Sequence, residues 1–145
     1  MNSECLVTIK GLHFDVSQNA NDLEVVLPGK YSKRGDFHYI IYDEPVEGTD
    51  YVNKNMIKFN DHTMTLTKKG VINATMLFDT SSKNLTNYNT PYGSIVFGIE
   101  THSVNVDVAP DMVHLNISYS LDLNYELLSK STIDILIKSA SDTII

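Results

Sequence analysis

The chain has 145 residues, 42% of them hydrophobic, with 11 Lys or Arg against 18 Asp or Glu and a formal charge of -7. That length can bury a core without disulfides or metal, so a single domain over residues 1–145 is expected, and no apolar run reaches the ~18 residues that a membrane span needs. The acidic excess is scattered, and the paired basics Lys33-Arg34 and Lys68-Lys69 both fall in predicted turns; neither nucleic acid nor membrane is an expected partner.

The N-terminus, Met1-Asn2-Ser3-Glu4-Cys5, lacks the pattern of a secretory signal, and the lone Cys5 cannot form an internal disulfide, so a cytoplasmic location is expected. Turn signals recur about every ten residues, and the segments between them favour period two with Val, Ile, Tyr, Phe and Thr, which is an all-β pattern. Cys5, Val7 and Ile9 begin it, ahead of a polar loop from Ser17 to Asp22. Leu23, Val25 and Leu27 alternate up to Pro28-Gly29, where the strand bends or lies at an edge, because Pro cannot donate to a ladder. After Tyr31, the turn Lys33-Arg34-Gly35-Asp36 leads into a strand from Phe37 to Glu44 that is apolar or aromatic on both faces, so its register stays open. Glu44-Pro45-Val46-Glu47-Gly48 closes it.

A strand from Thr49 to Phe59 is interrupted by Asn53-Lys54-Asn55. Asn60-Asp61 reads as a two-residue turn that sets Ile57 opposite Met64. Lys68-Lys69-Gly70 reads as a three-residue loop with Gly in the left-handed position, pairing Leu66 with Ile72 and Met64 with Ala74. The strand from Val71 to Phe78 is followed by a loop from Asp79 to Asn84 with a short helical turn, and Leu85 to Asn89 leads to the turn Thr90-Pro91-Tyr92-Gly93.

From Gly93 to Leu127 the pattern is one long hairpin about Ala109-Pro110-Asp111-Met112. If Ala109 faces Met112, then Val108 meets Val113, Val106 meets Leu115 and Val104 meets Ile117. Farther out, the apolar parity of the first strand switches, to Ile95, Phe97 and Ile99. One extra residue must intervene, because a slip of one would turn a whole face outward. Beyond a β-bulge, Ile99 faces Leu121, Phe97 faces Leu123 and Ile95 faces Tyr125, which places the bulge at Thr101 and His102 opposite Tyr119. Ser129 to Ser131 then turns into a last strand carrying Ile133, Ile135 and Ile137. Short links favour a meander, and a meander of about eight to ten strands twists until it closes, so the expected architecture is an antiparallel up-and-down barrel, with a two-sheet sandwich as the alternative.

Gly29-Lys30-Tyr31, Tyr39-Ile40-Ile41-Tyr42-Asp43-Glu44, the basic residue two before Gly70, Phe78, Thr90-Pro91-Tyr92-Gly93 and Tyr119-Ser120-Leu121 resemble, in order and spacing, the YwiB-like family of bacterial proteins. The likeness runs from Leu6 to Lys138 and implies a calycin (lipocalin-like) barrel in a bacterial cytoplasm. It implies no catalytic residues. Lys68 stands where the family is expected to carry Arg, which keeps the charge and loses the planar fork.

No motif points to a cofactor. His13, His38, His62, His102 and His114 lack zinc spacing, and neither a Gly-x-Ser-x-Gly elbow nor a Gly-rich phosphate loop occurs. Arg34-Gly35-Asp36 is read as a hairpin turn. His114 should face Asp107 in an outer cross-strand pair, and Glu44 and Glu100 are read as solvated strand ends. The bulge would gather the His102 imidazole, Thr101 and the Tyr119 hydroxyl; a satisfied corner is the ordinary reading, and catalysis there needs a cavity and a perturbed His102. Tyr31, Tyr42, Lys68, Tyr92 and Tyr119 supply aromatic bodies with polar tips that could line a barrel mouth, with Thr101 and His102 completing the candidate ligand-binding set. The expected activity is therefore non-catalytic binding of a small apolar ligand. A structural or protein-interaction module with a side-chain-filled barrel is the alternative, and an enzyme comes third.

Overall fold

A computed structural model describes residues 3–11, 24–46, 48–123 and 126–140. Among these residues ten strands form one antiparallel sheet: β1 Glu4–Lys10, β2 Glu24–Arg34, β3 Phe37–Pro45, β4 Val52–Phe59, β5 Thr63–Lys69, β6 Ala74–Asp79, β7 Lys83–Thr90, β8 Gly93–Ala109, β9 Met112–Leu123 and β10 Glu126–Ser139. Their order, β6-β5-β4-β3-β2-β1-β10-β9-β8-β7, is a meander in which β1 also joins β10. The sheet curls until β6 approaches β7, where Asn73 and Asn89 exchange two backbone bonds of 3.0 Å and the Thr86 hydroxyl donates to Thr75 O at 3.4 Å. The result is a nearly closed barrel.

The long hairpin has the expected register. Val108 faces Val113, Val106 faces Leu115, Val104 faces Ile117, and beyond the shift Ile99 faces Leu121 and Phe97 faces Leu123. Thr101 pairs with Tyr119 and Ser103 with Ser118, which leaves His102 as the extra residue of the bulge. Tyr125 lies outside the described residues, as do Leu23 and the loop from Ser17 to Asp22; Ile95 is recorded opposite Tyr88 in β7. The expected turn at Ser129 to Ser131 is overturned: these residues continue β10, with Ser129 opposite Leu121 and Ser131 opposite Tyr119, after a register shift between Leu127 and Ser129.

Two other registers differ from expectation. Phe59, not Ile57, faces Met64, and Ile57 faces Leu66. The two-residue turn is Asp61-His62, because the Asn60 side-chain oxygen accepts from the backbone N–H of His62 and of Thr63, and Asn60 N–H donates to Thr63 O. The shift is by two, so the buried face is preserved. Similarly, β5 runs on through Lys69, and Leu66 pairs with Met76, Met64 with Phe78 and Lys68 with Ala74. Asn73 closes the later loop by accepting from Gly70 N–H and donating to Gly70 O. The loop from Asp79 to Asn84 contains no helical turn; Thr80 and Ser81 form a turn, and β7 begins at Lys83.

The open register of β3 is settled by burial. His38, Ile40 and Tyr42 point inward, while Phe37, Tyr39 and Ile41 face out, with the Lys58 ammonium 4.3 Å from the Phe37 ring and 5.8 Å from that of Tyr39. Phe59, Phe78, Ile40, Met64, Met76 and Tyr119 are among the largest fully buried side chains, and Phe78 meets Tyr119 edge-on at 5.3 Å. Each such aliphatic or aromatic side chain contributes about 1.5–3 kcal/mol by leaving water, and together, among the described residues, they form a packed core.

The wall is incomplete at one place. The β2–β3 ladder runs from Arg34 opposite Phe37 to Gly29 opposite Tyr42 and stops, while β2 continues back to Glu24 along β1 and β3 continues to Pro45 along β4. Neither Pro28 nor Pro45 has an N–H to donate where the ladder would continue, which is the edge behaviour expected at Pro28. Val25 and Leu27 lie opposite the buried Ile9 and Val7, yet each remains half-buried.

Candidate functional site

Three adjacent strands carry polar residues inward at this end of the barrel. Tyr42 and Glu44 follow Ile40 on β3; Asn53 and Asn55 precede Ile57 on β4; Lys68 follows Leu66 on β5. Register places Tyr42, Asn55 and Lys68 side by side. Glu44 Oε1 accepts from Lys68 Nζ at 2.8 Å and from Asn53 Nδ2 and Asn55 Nδ2 at 3.2 Å each. Lys68 is only 5% exposed and Glu44 22%, so the pair is largely withdrawn from water. Burial pushes the Glu44 carboxyl up, but the Lys68 charge and the donors from Lys68, Asn55 and Asn53 outweigh it and hold the group below its ordinary value.

The surroundings keep the neighbouring hydroxyls neutral. Burial first, and the Glu44 charge second, push the Tyr42 hydroxyl up, and the same two causes bring Tyr88 to about 12. Asn55 donates to Glu44, which fixes its amide orientation, and its side-chain oxygen is buried without a hydrogen-bond partner. Beside this cluster, where β2 and β3 part, lies a pocket of about 100 Å³ lined by Ile9, Val25, Leu27, Tyr42, Glu44, Pro45 and Lys68. One wall is aliphatic and the other polar.

Of the residues singled out from the sequence, Tyr42 and Lys68 are brought together here. Tyr31 is on β2 opposite Ile40 and takes no part in the cluster: its hydroxyl is 2.7 Å from Nδ1 of the buried His38, which stacks on Phe59 at 4.7 Å. Tyr92 does not pack: it is fully exposed on a turn held by the Thr90 hydroxyl, which donates to Gly93 O and accepts from Tyr92 N–H. The bulge separates its residues instead of gathering them. His102 is exposed, with Nε2 2.7 Å from the Ser120 hydroxyl, whereas Tyr119 points inward and donates to Gly11 O at 3.4 Å. Thr101 is buried with its hydroxyl unpartnered. An exposed His102 removes the candidate that the bulge offered.

Two further expectations are corrected. His114 does face Asp107 across the hairpin, but its Nε2 bonds Asp134 on β10 at 2.7 Å, where Asn116 also donates. Glu44 is a half-buried member of the cluster and not a solvated strand end. Asn53 and Asn55, read as an interruption, share the parity of Ile57 and Phe59; that parity was the available signal for an inward polar patch.

The fold and site together define a small, nearly closed, antiparallel barrel with a packed middle and a polar end. Residues 7–135 match the domain of unknown function DUF1934, and the chain belongs to that family. The crystal structure of the YwiB protein from Bacillus subtilis superposes with a TM-score of 0.77 at 15% identity, covering 96% of this chain and 93% of that one. The likeness bears out the YwiB-like resemblance and the barrel. No curated protein matches the chain significantly.

Proposed function

We propose that this chain is a non-catalytic, cytoplasmic bacterial barrel of the calycin type that binds a small, largely apolar ligand at the end where β2 and β3 part. The reading is carried by the pocket itself, with Ile9, Val25 and Leu27 on one side and the Tyr42, Glu44 and Lys68 cluster on the other. Pockets that hold small molecules combine an apolar lining with a few placed polar groups. The packed middle favours an occupant of the mouth over one threaded through the barrel. The free, buried Cys5 is compatible with a reducing compartment. Native mass spectrometry of the full chain, with NMR screening of small apolar molecules bearing one polar group, tests the proposal. Binding that is lost in Leu27→Asp and kept in Ile41→Glu is expected. A chain that carries no occupant and shows no shifts around the pocket counts against it.

A second reading, a protein-interaction module, draws on the outer face. Leu6, Val26, Ile41 and Met56 are 38%, 55%, 53% and 37% exposed across the adjoining strands β1 to β4. Such a stripe suits a protein partner better than water. Retention of a partner by the wild type and its loss in Ile41→Glu would favour this reading.

A further inference from the structure

Taking the end pocket as the binding site, we infer that its ligand carries a net-neutral polar head, such as a carboxamide, and that carboxylate and ammonium ions of the same shape are rejected. The charges already present cancel. Glu44 and Lys68 form a close pair, and the two asparagines direct their side-chain N–H groups to the same carboxylate oxygen. A carboxylate entering beside Lys68 would find that cation already compensated, and an ammonium would meet a carboxylate already held by three donors. Either ion would add an uncompensated charge where both members of the pair are largely desolvated, which is the expensive case. Tyr42 and Tyr88 offer no countercharge, because their hydroxyls stay protonated.

A carboxamide meets this condition: it carries no net charge, and its carbonyl accepts from the Lys68 ammonium, which has N–H groups beyond the one given to Glu44. A short branched alkyl body then lies against Ile9, Val25 and Leu27, within the roughly 100 Å³ available.

The experiment titrates the folded, full-length chain with isovaleramide, isovalerate and isopentylammonium near neutral pH, following the Asn53 and Asn55 side-chain amide signals by NMR. We expect the carboxamide to bind at least about tenfold more tightly than either ion. Glu44→Gln frees the Lys68 charge and should turn the preference toward isovalerate. Lys68→Met, which leaves Glu44 uncompensated, should turn it toward isopentylammonium; either folded variant suffices. If an ion binds the wild type as tightly as the amide, or neither variant changes the preference, the neutral-head inference is overturned while the pocket stands as a binding site. If none of the three compounds moves signals around the pocket, the binding-site reading itself fails.

Discussion

Replacing Lys68 by Met removes the cation from a carboxylate that cannot leave. Removing one member of a buried ion pair costs about 3–5 kcal/mol, because the surviving charge is stranded. Glu44 keeps 22% exposure and the amide donors of Asn53 and Asn55, which soften the loss. The expected destabilisation near neutral pH is therefore about 2–3 kcal/mol. Its pH dependence separates this mechanism from lost packing of the lysine stem. In the wild type, Glu44 is held below its ordinary value, so it stabilises the fold above the unfolded-state value and loses that contribution as acid passes through the folded value. In Lys68→Met, both Lys68 influences are gone while burial still pushes up and Asn53 and Asn55 still pull down, so the folded value rises from its wild-type position and less stability is lost on protonation. The deficit against wild type should therefore shrink as pH falls through the carboxylate range. Urea unfolding followed by circular dichroism is the appropriate assay, since the chain contains no Trp. A loss below about 0.5 kcal/mol, or a deficit that grows on acidification, would refute the account. Lys68→Met/Glu44→Gln should recover much of the loss, as removing both charges leaves none stranded.

His38 gives a second pH window. Burial chiefly, then Lys33, lower its pKa against the opposing Asp61, so the folded state prefers neutral imidazole. Stability should fall as pH drops below the unfolded-state value of about 6.5, and His38→Phe should flatten that slope in urea midpoints measured from about pH 7 to 5. Gly11 has φ +88°, and a Cβ there would come within 2.0 Å of Thr132 O; Gly35 has φ +59° with open space around it. Gly11→Ala should therefore prevent stable folding, whereas Gly35→Ala should cost only about 1 kcal/mol, read from thermal unfolding. His102→Ala should lose about 1 kcal/mol for the bond to Ser120 and leave ligand binding unchanged by NMR titration.

The hairpin was legible because parity is a strict code. Val104, Val106 and Val108 cannot share a face with Ile95, Phe97 and Ile99 unless one residue is extra, and the partner strand from Val113 to Leu123 fixes where that residue falls. The shorter hairpins were misplaced because composition marks a turn only loosely. Asn60 looked like the first turn residue, but its side chain holds the turn from the flanking position. Lys68 and Lys69 looked like loop residues because lysines are rarely buried; Lys68 is buried because Glu44, on a strand two positions away in the sheet, supplies its partner.

That partnership also explains why the candidate site was only half legible. An aromatic with a polar tip can be recognised in a sequence, and so Tyr42 was, with the cationic Lys68 named beside it, but Tyr31, Tyr92 and Tyr119 carry the same signature and go elsewhere. What distinguishes the site is a run of strands in which inward parity continues from apolar into polar residues at one end: Ile40 to Glu44, Ile57 back to Asn53, Leu66 to Lys68. On any single strand this reads as a strand fraying into a loop. Only the pairing of β3, β4 and β5 shows that the three polar ends coincide, and that Lys68, Asn53 and Asn55 converge on the Glu44 carboxylate while Asn55 Oδ1 stays buried without a partner. An apolar side chain at position 55 would spare the fold that buried oxygen and would also take from Glu44 one of its amide donors.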